Sequence, residues 1–70
     1  MRRLGLLRQI AAAAAEKGIR WQLVRQGARH ELWLCGQVQV TVPRHREINE
    51  LTAAGICRAL ESELGEGWWR

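Results

Sequence analysis

The stretch IRWQLVRQGARHELWLCGQVQVTVP, residues 19–43, decides the fold of this 70-residue chain. Three runs within it alternate apolar with polar residues, which is the pattern of half-buried strands. Glycine turns at Gly27 and Gly36 separate the runs, and Pro43 ends the third because proline cannot donate to a strand ladder. The stretch therefore predicts a three-stranded antiparallel meander. Its alternating apolar positions are Ile19, Trp21 and Leu23, then Leu32 and Leu34, then Val38, Val40 and Val42.

The alternation also predicts which side chains face the core. Leu32 and Leu34 form the apolar set of the second strand, so we expect Trp33, between them, on the open face of the sheet. There an indole ring either stacks on an unpaired base or packs across strands, and we favour packing. Trp21 belongs to the apolar set of its own strand and is expected in the core.

A helical pattern precedes the meander. Residues 3–17 contain five consecutive alanines, which have the highest helix propensity, and Gly18 suits a left-handed C-cap. The sequence therefore predicts a first helix over residues 3–17. Its expected buried stripe is Leu4, Leu7, Ile10, Ala11 and Ala14.

A second helix is predicted after a polar, arginine-rich loop of residues 44–48. It begins at Asn49, a good N-cap residue, and ends at Gly65. Gly55 in its interior costs on the order of 1 kcal/mol relative to alanine, and we interpret it as a point of close helix contact. The expected buried stripe is Ala53, Ile56, Cys57, Leu60 and Leu64.

This order of elements predicts a single α+β domain over residues 1–70. Because only one face of each strand is apolar, both helices are expected on one face of the sheet, in a two-layer α-β-β-β-α sandwich. The arrangement resembles a double-stranded RNA-binding domain. Residues 65–70 form a short tail in which Trp68 and Trp69 either fold back over an apolar groove or await a partner.

The charge of the chain favours an anionic partner. Lys and Arg number 11 against 7 acidic residues, a formal net charge of +4, and ten of the cations are arginine. Arginine presents two donors to one phosphate or carboxylate, so the excess suggests a nucleic acid or an acidic protein surface. Charge alone supports nucleic acid only weakly.

Other features bound the class of protein. Cys35 and Cys57 have no metal-ligand spacing and are expected as reduced core residues. Arg8, Glu16 and Lys17 interrupt the N-terminal apolar run before it could serve as a signal peptide or span a bilayer. We therefore expect a cytoplasmic protein, not bound to a membrane, that uses no metal ion and no cofactor.

His30 is the strongest candidate for chemistry. It follows the Gly27 turn closely, and a second basic cluster, Arg44-His45-Arg46, follows the third strand. Histidine moves protons near neutral pH, and arginines beside it stabilise negative charge, which is the combination that cleavage of a phosphodiester needs. RNA is the first polymer to test.

Three features in this order resemble the HicA toxins of bacterial type II toxin–antitoxin systems. They are the glycine turn leading to His30, the run Val42-Pro43-Arg44-His45, and the helix that opens Asn49-Glu50-Leu51-Thr52-Ala53. The resemblance covers nearly the whole chain. It implies a fold like the double-stranded RNA-binding domain, cleavage of mRNA, and neutralisation by a HicB-like antitoxin. It also implies that His30 is the catalytic residue and Gly27 the turn glycine.

Each candidate residue has an alternative role. His30 is either the catalyst or a strand histidine at the edge of the core. His45 is either a binding residue or a solvated loop residue. Arg29, Arg44 and Arg46 either hold RNA phosphates or pair with Glu31 or Glu47.

The alternatives extend to the whole protein. A non-catalytic RNA-binding or protein-interaction module of the same fold would need the arginines as much as a nuclease does. Only the nuclease needs His30 to exchange protons. We expect the free protein to be a monomer.

Overall fold

The protein is α+β, and the predicted order of elements is confirmed. The computed structural model describes residues 1–70. The strands form one open sheet of order β1-β2-β3, antiparallel throughout. The predicted second helix is two helices, which meet at a single turn residue, Leu60 (φ −89°, ψ −1°). The elements are α1 (Arg3–Lys17), β1 (Trp21–Gln26), β2 (His30–Cys35), β3 (Val38–Pro43), α2 (Glu50–Ala59) and α3 (Glu61–Leu64).

One core joins the helices to a single face of the sheet. Its 12 buried apolar residues come from α1, α2, α3, β2 and β3, from Ile48 in the loop before α2, and from Leu60 between α2 and α3. The stripe predicted for the second helix is buried as expected. In α1, Ile10 and Ala14 are buried as predicted and Leu7 packs against the core, but Leu6 is buried in place of Leu4 and Ala11, which are exposed. Leu4 is 60% exposed. The alanine run gives almost no amphipathic signal, so the sequence could not distinguish neighbouring stripes.

The predicted facing of β2 is wrong. The two-residue turn of Gly36 and Gln37 places Cys35 opposite Val38, and the pairing continues with Trp33 opposite Val40. Side chains opposite each other in a sheet share a face, so Trp33 lies on the core side with the valines. Leu32 and Leu34 lie on the open face instead.

Trp33 therefore packs rather than presenting its ring to solvent. It stacks on Trp21, with ring centroids 4.5 Å apart and planes 11° apart, and both rings pack against the core. The favoured packing role of Trp33 and the core position of Trp21 are confirmed, and stacking of Trp33 on a base from the open face is excluded.

The tryptophan tail folds back onto the helices. Trp68 Nε1 donates to the Cys57 carbonyl at 2.8 Å, and Gln9 Nε2 donates to the Trp69 carbonyl at 3.2 Å. The two indoles meet edge to face at 6.0 Å. The tail is thus part of the packed structure, which decides between the two alternatives for it.

Two smaller expectations have clear outcomes. Asn49 caps α2, since its side chain accepts the Leu51 N–H at 2.8 Å. Gly55 is exposed, and a Cβ built on it has no atom within 4 Å, so its interpretation as a point of close helix contact is wrong. No helix has the length and apolar character needed to cross a bilayer.

Candidate nucleic-acid interface

The turn between β1 and β2 places His30 at the exposed start of β2. The Gly27 N–H donates to the His30 carbonyl at 2.9 Å, which closes the turn. A Cβ on Gly27 would lie 3.1 Å from that carbonyl oxygen, closer than such contacts ordinarily are. A larger residue would therefore crowd the backbone of His30, and the turn predicted at Gly27 is confirmed.

A bulge in β1 brings a further arginine to His30. The pairing of β1 with β2 shifts between Leu23 and Arg25, so Val24 is an extra residue. Beyond the bulge, Arg25 lies opposite Leu32, on the open face. Strict alternation from Trp21 would have placed Arg25 on the core face. The bulge thus gives Arg25 the same face as His30.

These elements surround an open cavity of about 200 Å³, the His30 cavity. Arg25 and Arg29 both line it with His30, and neither has a carboxylate oxygen within 4.0 Å. The His30 side chain is exposed and makes no hydrogen bond within the protein. It is therefore free to exchange a proton with a ligand beside two unpaired cations.

Glu31, the only acidic residue lining this cavity, is directed inward. Its side chain is 8% exposed and forms an ion pair with Arg3. The same oxygen accepts from Trp33 Nε1 at 3.1 Å, and Arg3 Nε donates to the Pro43 carbonyl at 3.1 Å. Glu31 therefore ties the start of α1 to β2 and β3, and its charge is compensated by Arg3.

The expected pairing partners of the loop arginines are thus occupied. Arg3 takes Glu31, while Glu47 lies 3.9 Å from Arg2 and 3.5 Å from the Met1 amino group. None of Arg29, Arg44 and Arg46 forms an ion pair. For these three arginines, pairing with Glu31 or Glu47 is wrong, and their charges remain available to an anion.

Arg44 connects the β3–α2 loop to the turn that carries His30. Its N–H donates to the Arg29 carbonyl at 2.8 Å, and its Nη1 donates to the Gly27 carbonyl at 2.8 Å. Arg46 lies one step further along the loop, beside a second cavity. His45 is exposed and lines neither cavity. The structure thus groups Arg29 with His30, uses Arg44 as the link, and leaves His45 apart.

Sequence reasoning did not include Arg25 among the candidate residues of the site, although Arg25 lines the His30 cavity. No sequence signal identifies the bulge that turns Arg25 toward His30. It also missed Arg2 and Arg3, because their neighbours at the site are about 40 residues away along the chain.

The two cysteines offer no second nucleophile. Both are unpaired and buried. Burial raises the pKa of the Cys35 thiol, with the Glu63 charge adding to the effect, and burial likewise raises the pKa of Cys57. Since the thiolate is the reactive form, both are inert core residues, as predicted.

Comparison with known proteins adds no relative. No model of a protein family, no curated protein and no solved structure matches the chain. What the site does must therefore be argued from its chemistry. An unpaired, exposed histidine that shares a cavity with uncompensated arginines can bind an anion and move a proton at the same place.

Proposed function

We propose that this protein is a metal-independent endoribonuclease that cleaves mRNA with His30, and that it is the toxin of a HicA-type pair. The observation that carries the proposal is the His30 cavity, which an exposed histidine lines together with two arginines that have no ion-pair partner. The family resemblance of the ordered motifs supports the same reaction class.

His30 acts as the general base in this proposal. It accepts the proton of a ribose 2′-hydroxyl, whose oxygen attacks the adjacent phosphorus as the bond to the 5′-oxygen breaks. The 5′-oxygen leaves with a proton from His30 or water, and the other fragment ends in a 2′,3′-cyclic phosphate. Arg25 and Arg29 stabilise the negative charge that grows on the phosphoryl oxygens.

The remaining basic residues bind the strand. Arg44 lies between the His30 cavity and the loop, and Arg46 and His45 follow it on the exposed surface. Phosphate contacts hold the strand in place without reading its bases. Arg44, His45 and Arg46 therefore serve affinity, Arg29 both binds the phosphate and stabilises its growing charge, and the proton transfer is assigned to His30.

The proposed partner is a HicB-like antitoxin that covers the His30 surface in the cytoplasm. Acidic groups on such a partner would meet the unpaired arginines and fix its orientation. Bound there, it would exclude RNA from His30 by occupying the same surface.

The test compares His30→Ala with His45→Ala on a single-stranded transcript. Loss of general base catalysis lowers a rate by about 100-fold to 10,000-fold, so His30→Ala should stop detectable cleavage while melting and RNA affinity stay near wild type. His45→Ala, the matched control, should reduce affinity alone. Excess EDTA should leave wild-type cleavage unchanged. Undiminished cleavage by folded His30→Ala protein, or activity restored by metal after EDTA, would refute the mechanism.

One observation favours a second function, RNA binding without cleavage. His30 is the only histidine lining its cavity, and Glu31 is committed to Arg3. A site that lacks a second acid or base can bind a phosphodiester without cutting it. Salt-dependent RNA binding by the wild type with no cleavage product would select this function over the nuclease.

A further inference from the structure

A second cavity of about 350 Å³ lies beside the first and is lined almost entirely by arginine. Four of its five lining residues are Arg2, Arg3, Arg44 and Arg46, and the fifth is Leu4; we refer to the four as the arginine cradle. No acidic residue lines it.

Backbone hydrogen bonds hold the cradle together. The Arg3 N–H donates to the Arg46 carbonyl at 3.0 Å, and the Ile48 N–H donates to the Met1 carbonyl at 2.7 Å. Arg2 and Glu47 form a strand-like bridge between the same two segments. The start of α1 and the β3–α2 loop are thus fixed against each other, and the guanidinium groups are gathered before any ligand arrives.

The positive charge of the cradle exceeds the negative charge of the carboxylates that pair with its arginines. Arg3 is paired with buried Glu31, and Arg2 lies 3.9 Å from exposed Glu47. Arg44 and Arg46 have no carboxylate partner. Gathering like charges raises the free energy of the folded state, and an anion with several oxygens relieves it by accepting from more than one guanidinium group.

The position of Arg44 indicates what kind of anion fits. It lines the cradle, while its side chain and N–H bond to the carbonyls of Gly27 and Arg29, which both line the His30 cavity. Arg44 therefore joins the two basic cavities, which lie next to each other. A single anion fills one of them, whereas a chain with repeated phosphates fills both.

We infer that the arginine cradle is a second phosphate site, which holds one backbone phosphate of a single nucleic-acid strand while the His30 cavity holds another. The inference rests on the proposed function only for the identity of the polymer as RNA. It adds Arg2 and Arg3, at the start of α1, to the binding surface. It also assigns Arg46 to a phosphate other than the one at which the strand is cut.

The test measures binding of 2′-O-methyl oligoribonucleotides, which lack the attacking hydroxyl and stay intact. Arg2→Gln/Arg46→Gln removes two cradle cations whose side chains are exposed. Arg8→Gln/Arg58→Gln removes the same charge from exposed helix positions outside both cavities. Each phosphate contact on a single strand contributes about 0.7 to the slope of log affinity against log salt. The cradle variant should therefore flatten the slope by about 0.7, the contribution of the one phosphate that the cradle holds, and the control pair should leave it near the wild-type value.

A ladder of oligonucleotide lengths and two further probes identify the source of the anion. The gain in affinity on lengthening the probe beyond one phosphate should be present in wild type and lost in the cradle variant. If inorganic phosphate binds the cradle as tightly as the long probe does, the inference that one strand occupies both cavities is overturned. Polyglutamate binding that depends on the cradle, with oligonucleotide binding unaffected, would assign the surface to an acidic protein and overturn the inference.

The outcomes separate this inference from the proposed function. If the wild type does not cleave RNA, the proposed nuclease function is refuted. The difference in salt slope between the cradle and control variants can still be measured with the uncleavable probes. Equal slopes for the cradle and control variants remove the cradle, whether or not RNA is cut. If the double variant melts early, Arg46→Gln alone, which breaks no ion pair, should still flatten the slope, by at most about 0.7.

Discussion

Each end of the sheet has a turn that contains a glycine, but the two turns differ in how much of the protein covers them. At the closed end, the turn of Gly36 and Gln37, the Gly36 N–H donates to the Arg20 carbonyl at 2.9 Å. There the Glu63 side chain occupies the place a Cβ on Gly36 would need. At the open end, residues 27–30 are all exposed, and a Cβ on Gly27 would meet no side chain within 4 Å.

The difference separates stability from chemistry. The closed end satisfies its backbone groups and lies against α3, so changes there should act on folding. The open end keeps unpaired arginines and an exposed histidine, so changes there should act on ligands. The Arg3–Glu31 pair lies beneath the open end and is the place where the two roles meet.

The largest expected effect comes from breaking that pair. Removing one partner of a buried ion pair costs about 3–5 kcal/mol, because the other charge is left buried. Glu31→Gln should therefore lower the free energy of unfolding by about 3 kcal/mol, close to the whole stability of so small a domain. Urea unfolding in a stabilising osmolyte measures the loss.

Two further variants sharpen that measurement. Arg3→Met combined with Glu31→Gln should recover part of the loss, because no uncompensated charge stays buried. Glu47→Gln, which removes an exposed partner of Arg2, should cost at most about 1 kcal/mol. Equal losses for Glu31→Gln and Glu47→Gln would show that the buried pair has no special role.

Next in size is a change at the closed end. Gly36 has φ +59°, a left-handed conformation that costs other residues about 1–3 kcal/mol. Gly36→Ala should therefore lower the thermal midpoint, with oligonucleotide affinity unchanged in the remaining folded protein. Repeating it in a Glu63→Ala background separates backbone strain from overlap with the Glu63 side chain. A loss of affinity without a loss of stability would contradict the division between the ends.

A smaller effect of opposite sign is expected on α2. Gly55 is exposed inside the helix with open space around it, so Gly55→Ala should raise the free energy of unfolding by about 0.5–1 kcal/mol. Cleavage and RNA affinity should not change, since the site is untouched. If denaturant unfolding shows Gly55→Ala to be less stable than wild type, another part of the protein must contact this position.

The two thiols should not change the pH dependence of the free energy of unfolding near neutral pH. Above neutral pH their effect on it should grow. Burial raises the pKa of Cys35 and Cys57 above the ordinary 9.0, so the folded protein keeps these protons where the unfolded chain loses them. Their stabilisation is complete below the unfolded pKa and is lost as pH rises through the folded one. The free energy of unfolding should therefore fall more between pH 7.5 and 10 in wild type than in Cys57→Ala. Thiol reagents should react only after denaturation.

The sequence alone determined much of the architecture and the main candidate in the site. Helix α1, both glycine turns, the Asn49 cap and the end of β3 at Pro43 follow from signals within a few residues, where backbone conformation is decided. His30 was identified the same way, from its place after the Gly27 turn.

Only the tertiary structure decided which way the side chains face and which charges are neutralised. A two-residue turn reversed the expected faces of β2, and a bulge carried Arg25 to His30. Arg3 took Glu31, 28 residues away, and left the loop arginines unpaired. Such outcomes depend on register and on which distant charges packing brings together, and the free energies involved belong to the assembled core rather than to any short stretch of chain.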